Sequence, residues 1–173
     1  PRAAMALSKL SGDEQRILFT QLCNVLDPGL AVALSSVSNE LRTATQVLLQ
    51  QLRADHDAAI ALCVMLGMLS CKELREAKEV YWLNKGLSAA DLALLGKLGS
   101  VLPALEDLRL YEHPGSAGPD AVQRLAEGLG AGALPAVTFL AFGFMHVGDA
   151  GASALAAALG RGALPRLESL TLV

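Results

Sequence analysis

Aromatic side chains are scarce in this sequence of 173 residues, where one Trp, two Tyr and four Phe make up 4% of the chain. The core therefore has to be built from Leu, Ala and Val, which favours repeated small helices over bulky packing. Charged residues are also few, at 18% against 53% apolar residues, a composition too apolar for a disordered chain. A chain of this length forms one domain or two small ones.

An excess of positive charge is missing as well. The 14 Lys and Arg stand against 17 Asp and Glu, which gives a formal net charge of −3, and the two signs alternate along the chain. A protein that neutralises a phosphate backbone needs a basic stripe on one face. The charge pattern therefore argues against nucleic acid as a partner.

Cysteines number three, and none of Cys23, Cys63 and Cys71 belongs to a CxxC pair. An odd count without a disulfide framework is typical of a reducing compartment, so we expect buried thiols in an intracellular and most simply cytoplasmic protein. The sequence opens on Pro1, and we expect that the natural N-terminus is missing or processed, which leaves import into an organelle open.

Long apolar runs are absent too. The most apolar one, residues 58–69, has twelve residues, whereas a helix that crosses a bilayer needs about 20. The run predicts a buried helix in a protein that does not span a membrane.

Groups of side chains that carry out chemistry are also missing. His56, His113 and His146 have no metal-ligand spacing with one another or with a cysteine. The glycine-rich residues 128–132 follow a predicted helix, whereas a phosphate-binding loop precedes one. We therefore predict no catalytic residue, no metal and no cofactor, and a protein that is not an enzyme.

What the sequence does have is an internal repeat. Three segments begin alike at Leu102, Leu134 and Leu164, with spacings of 32 and 30 residues, and a weaker copy begins 28 residues earlier at Leu74. Each segment continues with two apolar residues separated by one position: Val80 and Trp82, Leu108 and Leu110, Leu140 and Phe142, and Leu170 and Leu172. This alternation predicts one short strand in each unit.

A helix follows each of the first three strands. Leucine pairs spaced i, i+4 mark one helix face at Leu94 and Leu98, Leu125 and Leu129, and Leu155 and Leu159. Capping residues such as Ser88 precede the helices, and glycines such as Gly130 and Gly160 follow them. Stacked units of this kind predict an α/β fold, with a parallel sheet on one side and helices on the other.

The repeat resembles the leucine-rich repeats of the ribonuclease-inhibitor-like type, whose consensus is LxxLxLxxNxL followed by GDxGAxxLAxAL. Residues 148–159, GDAGASALAAAL, fit the second half closely. The resemblance implies a solenoid over residues 74–173, of about three units plus a final strand, with strands on the concave face and helices on the convex face. Lys85, His113 and Met145 replace the family's asparagine, so the ladder of hydrogen bonds made by those asparagines is absent.

Residues 1–73 form an all-α N-terminal module by the same criteria. A helix begins near Gly12 or Asp13, Asp27-Pro28-Gly29 breaks the pattern, and a second helix carries Leu30 and Leu34. A third helix is predicted over residues 40–52, and a polar linker at residues 53–57 separates it from the buried helix at 58–69.

The order of apolar residues in this module is similar to an F-box, which docks on the small adaptor subunit of cullin-RING ubiquitin ligases. The resemblance implies a docking ridge made of Leu10, Ile17, Leu18, Leu22, Pro28, Leu30, Leu34, Val37 and Leu41. Ser11 and Leu41 depart from the family, which usually has proline and tryptophan there. The alternative is a plain helical cap on the repeats.

The residues between the buried strand positions face the concave side of the predicted sheet. They include residue types that are enriched at binding hot spots. The predicted partner-binding residues are Tyr81, Leu83, Asp107, Arg109, Tyr111, Phe139 and Thr171.

The predicted function is non-catalytic protein–protein interaction, and the F-box resemblance implies a substrate receptor of a ubiquitin ligase. The alternative is a structural or scaffold subunit that stays buried in a larger assembly. Because the last predicted strand is not followed by a helix, we expect further chain or another subunit to cap this C-terminal edge.

Overall fold

A computed structural model describes residues 10–37 and 39–173. The chain divides into two compact units, with the boundary in the sequence between Ala59 and Ile60. The repeat pattern predicts the boundary after residue 73. The described residues hold seven α-helices and a four-stranded parallel sheet, a mixed α/β arrangement. The helices are α1 (Gly12–Leu22), α2 (Gly29–Ser35), α3 (Asn39–Met65), α4 (Cys71–Glu76), α5 (Ala89–Leu98), α6 (Ala121–Gly128) and α7 (Gly148–Gly160). The strands are β1 (Glu79–Leu83), β2 (Asp107–Tyr111), β3 (Phe139–Gly143) and β4 (Ser169–Leu172).

Helix α1 begins where the sequence predicts, because its first turn is capped on both sides. The Ser11 hydroxyl accepts a hydrogen bond from the Glu14 N–H, and the Glu14 carboxylate accepts one from the Ser11 N–H at 2.8 Å. Hydrogen bonds from Ser11 to the carboxylate lower the pKa of Glu14 below its usual value.

Three helices share the core of the first unit. Phe19 from α1, Ala31 from α2 and Leu52 from α3 are buried against one another. The Nδ1 atom of His56 lies 2.6 Å from the carbonyl oxygen of Val25, so this nitrogen donates a hydrogen bond that fastens α3 to the loop before α2. A core of this size holds the short helix α2, which would not be stable alone.

The predicted linker at residues 53–57 is wrong, because α3 is one continuous helix. The segment has neither Gly nor Pro, and the Gln51 amide donates to the Asp55 carboxylate at 2.9 Å across one helical turn. Arg53 and Asp57 are exposed, Asp55 and His56 are half-buried, and Leu52 and Ala59 are buried, so charge on the outer side does not interrupt the helix.

The predicted buried helix over residues 58–69 is also wrong in two respects. Helix α3 ends at Met65, where Gly67 has a φ of 81° and the Met68 N–H donates to the Cys63 carbonyl at 2.8 Å. One side of this segment is exposed, and Val64 has 69% of its surface accessible. No helix among the described residues has both the length and the apolar character that crossing a bilayer demands.

The predicted strands of the second unit are confirmed as neighbours in one sheet. Their order is β1-β2-β3-β4, all parallel, with Val80 opposite Leu108, Leu108 opposite Leu140 and Leu140 opposite Leu170. The inward residues of the first three strands are buried: Val80, Trp82, Leu108, Leu110, Leu140 and Phe142. In β4 the equivalent Leu170 and Leu172 are 40% and 49% exposed.

Helices α5 and α6 approach each other closely because glycines lie where they meet. A Cβ atom on Gly96 would overlap the carbonyl oxygen of Leu125, and one on Gly128 would lie 2.9 Å from the carbonyl oxygen of Ala93. The Arg161 guanidinium donates to the carbonyl oxygens of Ala126 and Leu129, at 3.4 and 3.3 Å, at the end of α6. These contacts fix the spacing of successive strand–helix units.

Candidate functional site

Metal-binding groups do not assemble in the part of the chain that the structure describes. No three His, Cys, Asp or Glu side chains in these residues lie close enough to hold a metal ion. The sulfur atoms of Cys63 and Cys71 are 3.9 Å apart and buried, a contact that the sequence did not predict. Burial and the neighbouring Cys71 raise the pKa of Cys63 to about 12, so this thiol stays protonated and unreactive at neutral pH.

The candidate binding surface is one face of the sheet, formed by the odd-numbered strand residues and here called the open face. It comprises Glu79, Tyr81, Leu83, Asp107, Arg109, Tyr111, Phe139, Ala141, Gly143, Ser169 and Thr171. The parallel register places them in rows across the strands, because each residue lies opposite the equivalent residue of the next unit. Tyr81 is 59% exposed at the β1 end, and Ala141 is buried beneath its neighbours.

Two tyrosines contact each other on the β1–β2 side of the open face. The ring centroids of Tyr81 and Tyr111 are 5.5 Å apart, with the ring planes tilted by 54°. The Tyr111 ring also lies directly over Gly143, where a Cβ atom would overlap it. The missing side chain at Gly143 therefore sets the position of Tyr111, a role that the sequence did not predict.

Arg109 is held in one position by two neighbours. Its Nε and Nη2 atoms donate to the two carboxylate oxygens of Asp107 at 2.9 and 2.6 Å, and its guanidinium lies 4.7 Å from the centre of the Phe139 ring. The hydrogen bond to Asp107 raises the pKa of Arg109 above its ordinary value. A side chain fixed in this way loses little entropy when a partner binds.

The structure thus arranges five of the seven predicted binding residues in two contacting groups, Tyr81 with Tyr111, and Arg109 with Asp107 and Phe139. Leu83 is exposed beside Tyr111 at the end of β1, and Thr171 lies on β4 opposite Ala141. Phe144, which the sequence did not single out, is 55% exposed just after β3 with a φ of 58°. No sequence pattern marks it, because a phenylalanine rarely adopts this left-handed conformation.

A buried carboxylate supports the loop beside the open face. Glu112, only 1% exposed, follows β2, and its two oxygens accept hydrogen bonds from the N–H groups of Lys85, Gly86 and Leu87, each at 3.1 Å. The Glu112 side chain thus supplies hydrogen-bond acceptors to the N–H groups of the loop after β1, where Lys85 replaces the asparagine of the repeat consensus. No repeat position marks Glu112, since the other units carry no glutamate there.

The predicted docking ridge of the first unit is partly open to solvent. Ile17 and Leu30 are each 59% exposed and Val37 is exposed. Half-buried residues make up most of the rest: Leu10, Leu18, Leu22, Pro28 and Leu34. The side chain of Leu41 lies outside the described residues.

Among the described residues, Ile17 lines an open groove of about 570 Å³ together with Thr20 and Leu48. Leu34 instead packs against the core of Phe19, Ala31 and Leu52.

Comparison with protein-family models, with curated proteins and with solved structures found no match to this chain.

Proposed function

We propose that the chain is a non-catalytic protein-binding module whose open face contacts the partner. The observation that carries this proposal is the set of exposed and half-buried side chains that hold one another in position on the open face. Tyr81 and Tyr111 support each other, and Arg109 is held between Asp107 and Phe139. Tyrosine and arginine are the residues that most often dominate binding energy at protein interfaces.

The finer fold in this proposal is a leucine-rich-repeat solenoid with the open face on its concave side. Equivalent strand residues 28, 32 and 30 positions apart lie opposite one another, which supports repeated units of that length. An intracellular site of action belongs to the same proposal, since Cys23, Cys63 and Cys71 are all free.

Truncating the open face should weaken partner binding, whereas truncating the helical side should not. Tyr111→Ala and Arg109→Ala are each expected to raise the partner's dissociation constant at least tenfold, about 1.4 kcal/mol or more, because each removes a fixed anchor. The readout is the affinity of a partner that is captured by the full chain and then purified. A partner that never exchanges would indicate a permanent structural subunit instead.

The matched control is Arg124→Ala. Arg124 on α6 pairs with Asp120 at 3.0 Å, as Arg109 pairs with Asp107, but it belongs to the helical layer. We expect less than a twofold change for this variant. Equal losses for both arginines would contradict binding at the open face.

A second candidate function is adaptor docking by the first unit, as an F-box-like substrate receptor would require. The exposed apolar side chains of Ile17 and Leu30 favour it, because apolar residues that a helix does not bury in the core can contact a partner protein. Ile17→Asp and Leu30→Asp should each abolish binding to the ubiquitin-ligase adaptor subunit in a pull-down. Val47→Asp is the control, because Val47 is 77% exposed and lies outside the ridge. If the wild type binds no adaptor, this candidate fails.

A further inference from the structure

A small cavity opens at the β1–β2 end of the open face. Its volume is about 120 Å³, and it is lined by Glu79, Val80, Tyr81, Asp107 and Arg109. The cavity is small, and it suits the end group of a single side chain.

The charges around this cavity do not cancel. Asp107 neutralises Arg109 at 2.6 Å, and Lys78 neutralises Glu106 at 3.6 Å. Within the described part of the chain Glu79 forms no salt bridge, so one negative charge remains at the β1 side.

The positive group of the cavity is held by Asp107 and Phe139, and Glu79 is a more distant charge that also helps to raise the pKa of Arg109. The Arg109 guanidinium lies over the Phe139 ring of β3, whereas Glu79 is on β1, with β2 between these strands. The β1 side therefore offers an exposed carboxylate, without a salt bridge among the described residues, beside the exposed ring of Tyr81. A cation is attracted both by a carboxylate and by the face of an aromatic ring.

We propose that this cavity binds the guanidinium of an arginine from the protein partner, an inference that rests on the proposed protein-binding function. A guanidinium has four heavy atoms, is planar enough to stack on the Tyr81 ring, and can donate two parallel hydrogen bonds to Glu79. A carboxylate or phosphate would be repelled by Glu79, and an apolar side chain would remove water from that carboxylate without replacing its hydrogen bonds.

The test uses the full chain labelled with ¹⁵N and titrated with N-acetylarginine amide, with N-acetylcitrulline amide as the neutral probe of the same shape. We expect saturable amide shifts at residues 79–81 and 107–109 with the arginine probe, and at least fivefold weaker binding of the citrulline probe. Glu79→Gln should weaken arginine binding at least fivefold, whereas Glu168→Gln, an exposed glutamate on the edge before β4, should not. Equal binding of both probes, or shifts confined to other residues, would overturn the proposal.

The two proposals fail separately. If Tyr111→Ala weakens partner binding but Glu79→Gln does not, the open face binds the partner and the arginine site is wrong. If the arginine probe binds at Glu79 while partner affinity does not respond to any open-face variant, the cavity binds a guanidinium, but the proposed function and the assignment of that group to the partner are wrong.

Discussion

Glu112→Ala should lower the free energy of unfolding by about 3 kcal/mol or more, one of the two largest effects expected in this chain. The substitution leaves three N–H donors of the loop after β1 without their acceptor, at Lys85, Gly86 and Leu87. The bond to Leu87 is fully buried, so water cannot replace it without opening the loop. A hydrogen bond to a charged acceptor contributes about 1.5–3 kcal/mol, so the loss of all three accounts for the expected fall in the free energy of unfolding.

Denaturant unfolding measures this effect, with Glu168→Ala as the control. Glu168 is an exposed glutamate whose side chain has no hydrogen bond or salt bridge within the described residues, and its removal should change stability by less than about 0.5 kcal/mol. Glu112→Gln should fall between the two, because an amide keeps one acceptor oxygen but turns donor hydrogens toward the loop. A Glu112→Ala protein as stable as the wild type would show that the carboxylate does not support the loop.

Gly96→Ala should destabilise the second unit by about 2–3 kcal/mol, although alanine is the better helix former. The new Cβ would overlap the carbonyl oxygen of Leu125, which is backbone and cannot rotate away. Helices α5 and α6 would have to separate, and the leucines buried beneath them, such as Leu95 and Leu125, would lose contacts.

Gly160→Ala is the matched control for this substitution. Gly160 ends α7, has nothing within 4 Å of its Cβ position and should tolerate alanine with no loss of stability. Thermal unfolding of the two variants separates the effect of helix packing from that of helix propensity. Equal unfolding temperatures for Gly96→Ala and the wild type would contradict the close approach of the two helices.

The sheet could be predicted from the sequence because two independent periods agree there. The two-residue alternation identifies each strand, and the spacing of about 30 residues identifies which strand lies beside which. Leu108, Leu140 and Leu170 therefore could be placed in one row before the structure was known, and the register confirms it.

Helix α3 and the Glu112 contact could not be predicted, for different physical reasons. Asp55 and Asp57 look like a linker in the sequence, but a helix accommodates charge wherever its side faces water. The partner of Glu112 lies 25 to 27 residues away, and such a contact follows from how the strands align, which local sequence does not reveal.

The open face was predictable as a set of residues but not as an arrangement. Alternation alone places Asp107 and Arg109 on the same side of β2, where they form the salt bridge. Which rings touch depends on Gly143, since only the missing side chain there lets Tyr111 lie across β3. A small residue on the open face thus determines the arrangement as much as the large ones do.

The most direct test of the account is the partner's dissociation constant for Arg109→Ala against Arg124→Ala, measured on proteins with the same unfolding temperature. Both substitutions remove an arginine that pairs with an aspartate, and only the first lies on the open face. We predict at least a tenfold rise for Arg109→Ala and less than a twofold change for Arg124→Ala. Equal values for the two variants, or a larger loss for Arg124→Ala, would contradict a binding surface on the sheet.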